Sequence, residues 1–116
     1  MVIPHEEEID LYTSEDIEKL KELLKASPAD SFLNHALALE YLKLSQNQSA
    51  RVVFEALLKR DPDYVGSYYH LAKLLEADGE TALAIKWYEK GMEQAKEVGD
   101  SHSFNELQAA YEDLID

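Results

Sequence analysis

Residues 34–62 read NHALALEYLKLSQNQSARVVFEALLKRDP, and residues 68–96 read YYHLAKLLEADGETALAIKWYEKGMEQAK. An offset of 34 residues brings Leu37 onto Leu71, Ala38 onto Ala72, Ala50 onto Ala84, Phe54 onto Tyr88, Glu55 onto Glu89 and Leu58 onto Met92. The same offset superposes Pro28 on Pro62 and Ser45 on Gly79. Small residues fall on small ones and rings on rings at one fixed spacing, the mark of a repeated supersecondary unit.

Physical chemistry gives each residue type a task. A 34-residue unit with one internal turn is a pair of antiparallel helices. Ala38 and Ala72 allow the first helix of each pair to approach its neighbour, and Ala50 and Ala84 do the same on the second. A larger side chain there would push the axes beyond the usual spacing of about 8–10 Å. Phe54 and Tyr88 fill the space between one unit and the next, and Pro62 ends a pair. A single pair cannot bury its own apolar face, so pairs stack.

Punctuation along the chain predicts about six helices. The first opens at Thr13-Ser14, where either hydroxyl can cap and Asp16 suggests a capping box. It carries Ile17, Leu20, Leu23 and Leu24 as an apolar stripe and stops before Pro28. The second spans about residues 30–44. The polar cluster Ser45-Gln46-Asn47-Gln48 follows, then a third helix to about Arg60. Asp61-Pro62-Asp63 breaks the chain, and a fourth helix spans about 64–77. Asp78-Gly79-Glu80 is the next turn, with Gly79 suited to a left-handed C-cap. A fifth helix spans about 80–97. After Val98-Gly99-Asp100, Ser101 or Ser103 caps a sixth that reaches Leu114. No stretch alternates with period two long enough to predict a strand.

These residues resemble the tetratricopeptide repeat family, whose pattern is W-x2-L-G-x2-Y, then A-x3-F, then P. The first unit offers Asn34-x2-Leu37-Ala38-x2-Tyr41, Ala50-x3-Phe54 and Pro62. The second offers Tyr68-x2-Leu71-Ala72-x2-Leu75, Ala84-x3-Tyr88 and, in place of proline, Lys96. That departure predicts a fifth helix running on to Gly99. The resemblance implies an all-α fold: a short right-handed α-solenoid of antiparallel helix pairs. Residues 1–12 are expected to be an acidic flexible tail, and 13–116 a single helical domain. Within it lie a half-repeat (13–28), two repeats (29–62 and 63–97) and a capping helix (101–116), where Leu107 and Tyr111 repeat the Leu37/Tyr41 spacing.

Composition narrows the function. The chain has 116 residues, 46% of them hydrophobic, which suits one globular domain. Acids number 24 and bases 11, a formal charge of −13. Six of those charges (Glu6, Glu7, Glu8, Asp10, Glu15 and Asp16) lie in the first sixteen residues. Such a balance repels phosphates and predicts no nucleic-acid or membrane partner. Cysteine is absent, which removes disulfides and thiolate chemistry. No secretory signal or membrane-spanning run is legible, so a cytoplasmic location is expected. G-x-S-x-G, P-loop, G-x-G-x-x-G and H-E-x-x-H motifs are all missing, so no catalytic residues, metal site or cofactor are predicted. His35 and His70 could approach each other, but no third ligand accompanies them.

What remains is binding. The resemblance implies a protein–protein interaction module that takes a peptide or partner protein in a concave groove lined by first helices. Its lining would be Phe32, His35, Leu39, Leu42 and Lys43 from the first unit, and Tyr69, His70, Lys73, Glu76 and Ala77 from the second. Tyr69 is the expected hot spot, and Lys43 and Lys73 would orient a partner's carboxylate. One family subtype clamps the C-terminal carboxylate of chaperones with Lys and Asn. Here His35 and Leu39 stand where those residues are needed. The alternative function is homodimerisation through the terminal helix, using Leu107, Ala110, Tyr111 and Leu114.

Overall fold

The computed structural model describes residues 14–116, so Thr13 and the acidic segment 1–12 lie outside the described residues. Among the described residues six α-helices follow one another: α1 Glu15–Ala26, α2 Ser31–Lys43, α3 Asn47–Arg60, α4 Gly66–Ala77, α5 Thr81–Val98 and α6 Ser101–Ile115. No strand occurs among the described residues. The chain divides between Leu57 and Leu58 into two compact units. In the first, α1 packs on α2. In the second, α5 packs on both α4 and α6, and α4 also touches α6.

In the first unit, the Ile17 N–H donates to the Ser14 hydroxyl at 3.0 Å, so Ser14 caps α1. Glu15, Asp16 and Glu18 in its first turn and Lys25 in its last complement the helix dipole. The apolar stripe is narrower than expected. Ile17 is 1% exposed, but Leu23 is 56% exposed, and Leu20 and Leu24 are half-buried. The face that meets α2 follows a 3, 4 spacing, and Leu23 falls off it. Asp30 caps α2 by accepting from the Leu33 N–H at 2.9 Å. Helix α3 begins at Asn47, inside the polar cluster expected to be a loop.

The turn between the helices of a pair has the same construction in both repeats. The Ser45 N–H donates to Leu42 O (3.0 Å) and the Gln46 N–H to Tyr41 O (2.9 Å). The Gly79 N–H donates to Glu76 O (3.0 Å) and the Glu80 N–H to Leu75 O (2.9 Å). Both turns are Schellman closures, which need a left-handed residue just past the helix end. Gly79 supplies it at φ 80°, and Ser45, one repeat earlier, does so at φ 57° despite its side chain. The following helices open alike, the Ala50 N–H donating to Gln46 O and the Ala84 N–H to Glu80 O.

In the second unit, α4 starts at Gly66, two residues later than expected. Hydrogen bonds spanning three residues, from Ser67 N–H to Tyr64 O and from Tyr68 N–H to Val65 O (3.3 Å each), form the preceding turn. Along α5 the buried residues are Ala84, Tyr88, Gly91 and Ala95, a 4, 3, 4 spacing. The helix runs on to Val98 and closes at Gly99, φ 75°, as the missing proline implied. Asp100, rather than Ser101 or Ser103, caps α6. Its carboxylate accepts from the Ser103 N–H (3.0 Å) and from the Ser103 hydroxyl (2.7 Å).

Ala38, Ala50, Ala72, Ala84 and Ala95 are all fully buried, as are Phe54, Tyr68, Leu71 and Tyr88. Ala38, Ala50, Ala72 and Ala84 therefore hold the close-approach positions that the repeat register assigned to them. Each buried leucine or large aliphatic side chain adds about 1.5–3 kcal/mol of apolar transfer free energy.

Candidate functional site

The first helix of each repeat carries the predicted binding residues. On α2, Phe32 is 69% exposed at the first turn. His35 is half-buried, with its ring edge-on to Phe54 at 6.0 Å. Leu39 and Leu42 are half-buried, and Lys43 is exposed. The Lys43 ammonium donates to Glu40 Oε2 at 2.8 Å, and that carboxylate raises its pKa.

On α4, Tyr69 and Lys73 are four residues apart and Glu76 three further, so they share a ridge, with His70 beside it. Tyr69 and His70 are half-buried and meet edge to face, with centroids 5.7 Å apart. Lys73 Nζ lies 3.6 Å from Glu76 Oε2. That oxygen also accepts a hydrogen bond from Tyr88 of α5. Burial and the Glu76 carboxylate together hold the Tyr88 phenol far above its ordinary value. The Tyr69 hydroxyl has no hydrogen-bond partner among the described residues.

Both lysines expected to meet a partner's carboxylate are thus already matched by a glutamate on their own helix. The signal is visible as Glu40-x2-Lys43 and Lys73-x2-Glu76. Exposed pairs of this kind are weak, about 0–1 kcal/mol, yet each cancels the local positive potential.

Helix α6 adds a neighbour to the α4 ridge that the repeat motif did not reveal. Burial pushes the His70 imidazole below its ordinary value, and the Glu106 carboxylate of α6 works against that shift. Glu106, Ala109 and Asp113 follow one another at spacings of three and four, so Glu106 heads an acidic ridge. The helix carries Glu106, Glu112 and Asp113 and no Lys or Arg. The signal available in the sequence was this one-sided charge, in a helix read as a cap or, alternatively, a dimer contact.

Three residues outside the first helices take structural places. Leu107, a candidate dimer residue, is 1% exposed and belongs to the core of its unit. Tyr111 donates to Glu89 of α5 at 3.1 Å. Trp87 is half-buried, tilted against Tyr68 at 5.9 Å, with the Lys90 ammonium 5.7 Å from its ring. Among the described residues no group of three His, Cys, Asp or Glu is placed to hold a metal. No described helix is long and apolar enough to cross a membrane.

Repeat register, matched Schellman turns and buried alanines describe one architecture, and a family model for the tetratricopeptide repeat matches residues 35–96. The chain belongs to the tetratricopeptide repeat family. Its fold is that of a protein–protein interaction module. A tetratricopeptide repeat domain protein of Salinibacter ruber, known from a solution NMR structure, is 44% identical. The match covers 76% of this chain and 89% of that one, with a TM-score of 0.72. The TPR2B domain of yeast Sti1, in its complex with pHsp70, superposes with a TM-score of 0.78 over 84% of this chain and 78% of that one. At 22% identity, that likeness concerns the fold alone. Among curated proteins, the mouse aspartyl/asparaginyl beta-hydroxylase is 28% identical over 85 residues, 73% of this chain. The match spans only 12% of the length of that relative.

Proposed function

We propose that this tetratricopeptide repeat chain is a non-catalytic docking module of the cytoplasm that takes a protein or peptide partner against the first-helix faces of its repeats. On α2 the contact residues are Phe32, His35, Leu39, Leu42 and Lys43, and on α4 they are Tyr69, His70, Lys73 and Glu76. The observation that carries the reading is Tyr69. A half-buried ring whose hydroxyl lacks a partner among the described residues has polar capacity left for a ligand, and tyrosine is enriched where binding energy concentrates. The occurrence of the TPR2B domain of yeast Sti1 in a complex with pHsp70 supports a protein or peptide as the partner. Domain limits of 13–116 go with this proposal, residues 101–116 serving as a cap.

A pull-down with wild type against the Tyr69→Ala, Lys73→Ala double variant tests it. Loss of the retained partners in the variant is expected, by about tenfold in recovery for a hot-spot tyrosine. Equal recovery of every partner by both proteins would refute the assignment.

A second reading, homodimerisation through α6, draws on Ile115, 50% exposed, and on half-buried Ala110 and Leu114. Because Leu107 is buried, this reading now rests on the last two turns. Sedimentation at two concentrations separates the readings. A dimer that Leu114→Glu dissolves would favour self-association, and a monomer at both concentrations would exclude it.

A further inference from the structure

In both repeats the second helix is covered by the first helix of its own pair. On α3 the Phe54 ring meets His35 of α2 at 6.0 Å. On α5 the Tyr88 hydroxyl donates to Glu76 of α4, and Gly91 lies under Tyr68, also on α4. The 34-residue register gives α1 the place of a second helix, setting Leu20 on Phe54 and Tyr88, and Leu23 on Leu57 and Gly91. Those four repeat positions are buried. On α1, Leu20 is only half-buried and Leu23 is 56% exposed. Helix α1 packs on α2, but among the described residues no first helix precedes it.

We propose that this open face of α1 takes an amphipathic helix of a partner protein, which completes the first pair in trans. The site is separate from the faces of α2 and α4. Charge specifies the partner. Asp16 stands at the place of Ala50 and Ala84, and Lys19 at that of Trp87; both are exposed. In an antiparallel pair the end of the first helix lies beside the start of the second, so a Lys or Arg in the partner's last turn meets Asp16. Trp87 packs against Tyr68, in the first turn of α4, so an Asp or Glu in the partner's first turn meets Lys19. That order of charges also suits the partner's own helix dipole. An apolar stripe between them covers Leu20 and Leu23. Other occupants fit worse. Continued upstream, the register sets Pro4 on Ala38 and Ala72, where proline breaks a helix, and Glu7 on Tyr41 and Leu75, so the repeat pattern does not extend there. A second copy would bring α6, whose last turn holds Glu112 and Asp113 and no base, acid against acid at Asp16, between partners of formal charge −13 each.

Two labelled synthetic helices of about 15 residues test the proposal, titrated with the full chain and read by fluorescence anisotropy. Both carry the same leucine stripe. One has Glu in its first turn and Lys in its last, and the other has these exchanged. The first should bind about fivefold more tightly than the second. Leu23→Asp should weaken it by at least about tenfold while keeping the wild-type denaturation midpoint, since that side chain is exposed. Asp16→Lys should level or reverse the preference between the two helices. Tyr69→Ala should change neither affinity. Equal affinity for the two helices, binding of neither, or binding that survives Leu23→Asp would overturn the proposal, as would a dimer of the free chain that Leu23→Asp dissolves. Loss of binding in Tyr69→Ala but not in Leu23→Asp would move the helix to α4, overturning this site and leaving the docking reading above intact.

Discussion

At position 34 the first repeat carries asparagine, and 34 residues later the second carries Tyr68. Both reach back to the carbonyl of the proline six residues before. Asn34 Nδ2 donates to Pro28 O at 3.0 Å, and the Tyr68 hydroxyl to Pro62 O at 2.5 Å. Asn34 also bonds Asp30 O at 2.8 Å. The polar anchor is therefore the same, but the volume delivered differs: Asn34 is half-exposed and Tyr68 fully buried.

The second helices answer in the opposite sense. Position 57 is a buried leucine, and its counterpart at 91 is glycine. A methyl group on Gly91 would stand 2.7 Å from Tyr68 Cβ and 3.0 Å from Leu107 Cδ1. Glycine inside a helix costs about 1 kcal/mol against alanine, and here the tyrosine leaves room for nothing else. One repeat pairs a small first-helix residue with a large second-helix one, and the other reverses the order. The repeat motif thus constrains the summed volume and the polar anchor more tightly than either residue.

The largest effect should come from breaking that exchange. Gly91→Leu overpacks against Tyr68 and Leu107 and should destabilise the chain by about 3 kcal/mol, read as a lowered denaturation midpoint. Tyr68→Asn combined with Gly91→Leu should cost less than the sum of the single changes, with a coupling of about 1–3 kcal/mol. Strict additivity would show that the two positions do not exchange volume. Relief should be incomplete, because Leu107 still presses on the site.

A middle-sized effect is expected from alkaline pH, and it should fall on the second repeat. Burial pushes the Tyr68 phenol up to about 12, and the Tyr88 phenol rises further through burial and the Glu76 carboxylate. Folding raises these values above the ordinary 10.0, so the stability held in the protonated phenols is complete below pH 10 and is lost as pH climbs through 12. Ultraviolet titration should show both rings ionising late, together with unfolding. The first repeat has Phe54 at the place of Tyr88 and Asn34 at that of Tyr68, so its own packing holds no such buried phenol. Tyr88→Phe should diminish the alkaline loss, and an unaltered pH profile would contradict the account.

The smallest change sharpens the likeness of the turns. Ser45 occupies the left-handed region at φ 57° where Gly79 stands in the second repeat. Ser45→Gly should stabilise the chain by about 0.5–1 kcal/mol, since glycine pays no Cβ penalty there. Gly79→Ala should destabilise by a similar amount, although no atom lies within 4 Å of the added methyl. A loss of stability with Ser45→Gly would mean that the serine side chain contributes more than its backbone costs.

The amino-acid sequence by itself determined the 34-residue period, the six helices, the alanines at close approach and the rings that plug the core. Those features are set by spacing along one chain, because a side chain's direction on a helix follows from its position in the turn. Helix ends were less legible: Asp100 outcompeted two serines for the α6 cap, and α3 took in Asn47 and Gln48, half of the polar cluster. Only the tertiary structure decided which apolar residues of the α1 stripe meet a neighbour, leaving Leu23 in solvent. It alone placed Tyr88 on Glu76, left the Tyr69 hydroxyl unmet among the described residues, and made Gly91 the seat of Tyr68. Each of these joins side chains from different helices, or fails to, and helical periodicity does not say which residue of the next helix lies opposite.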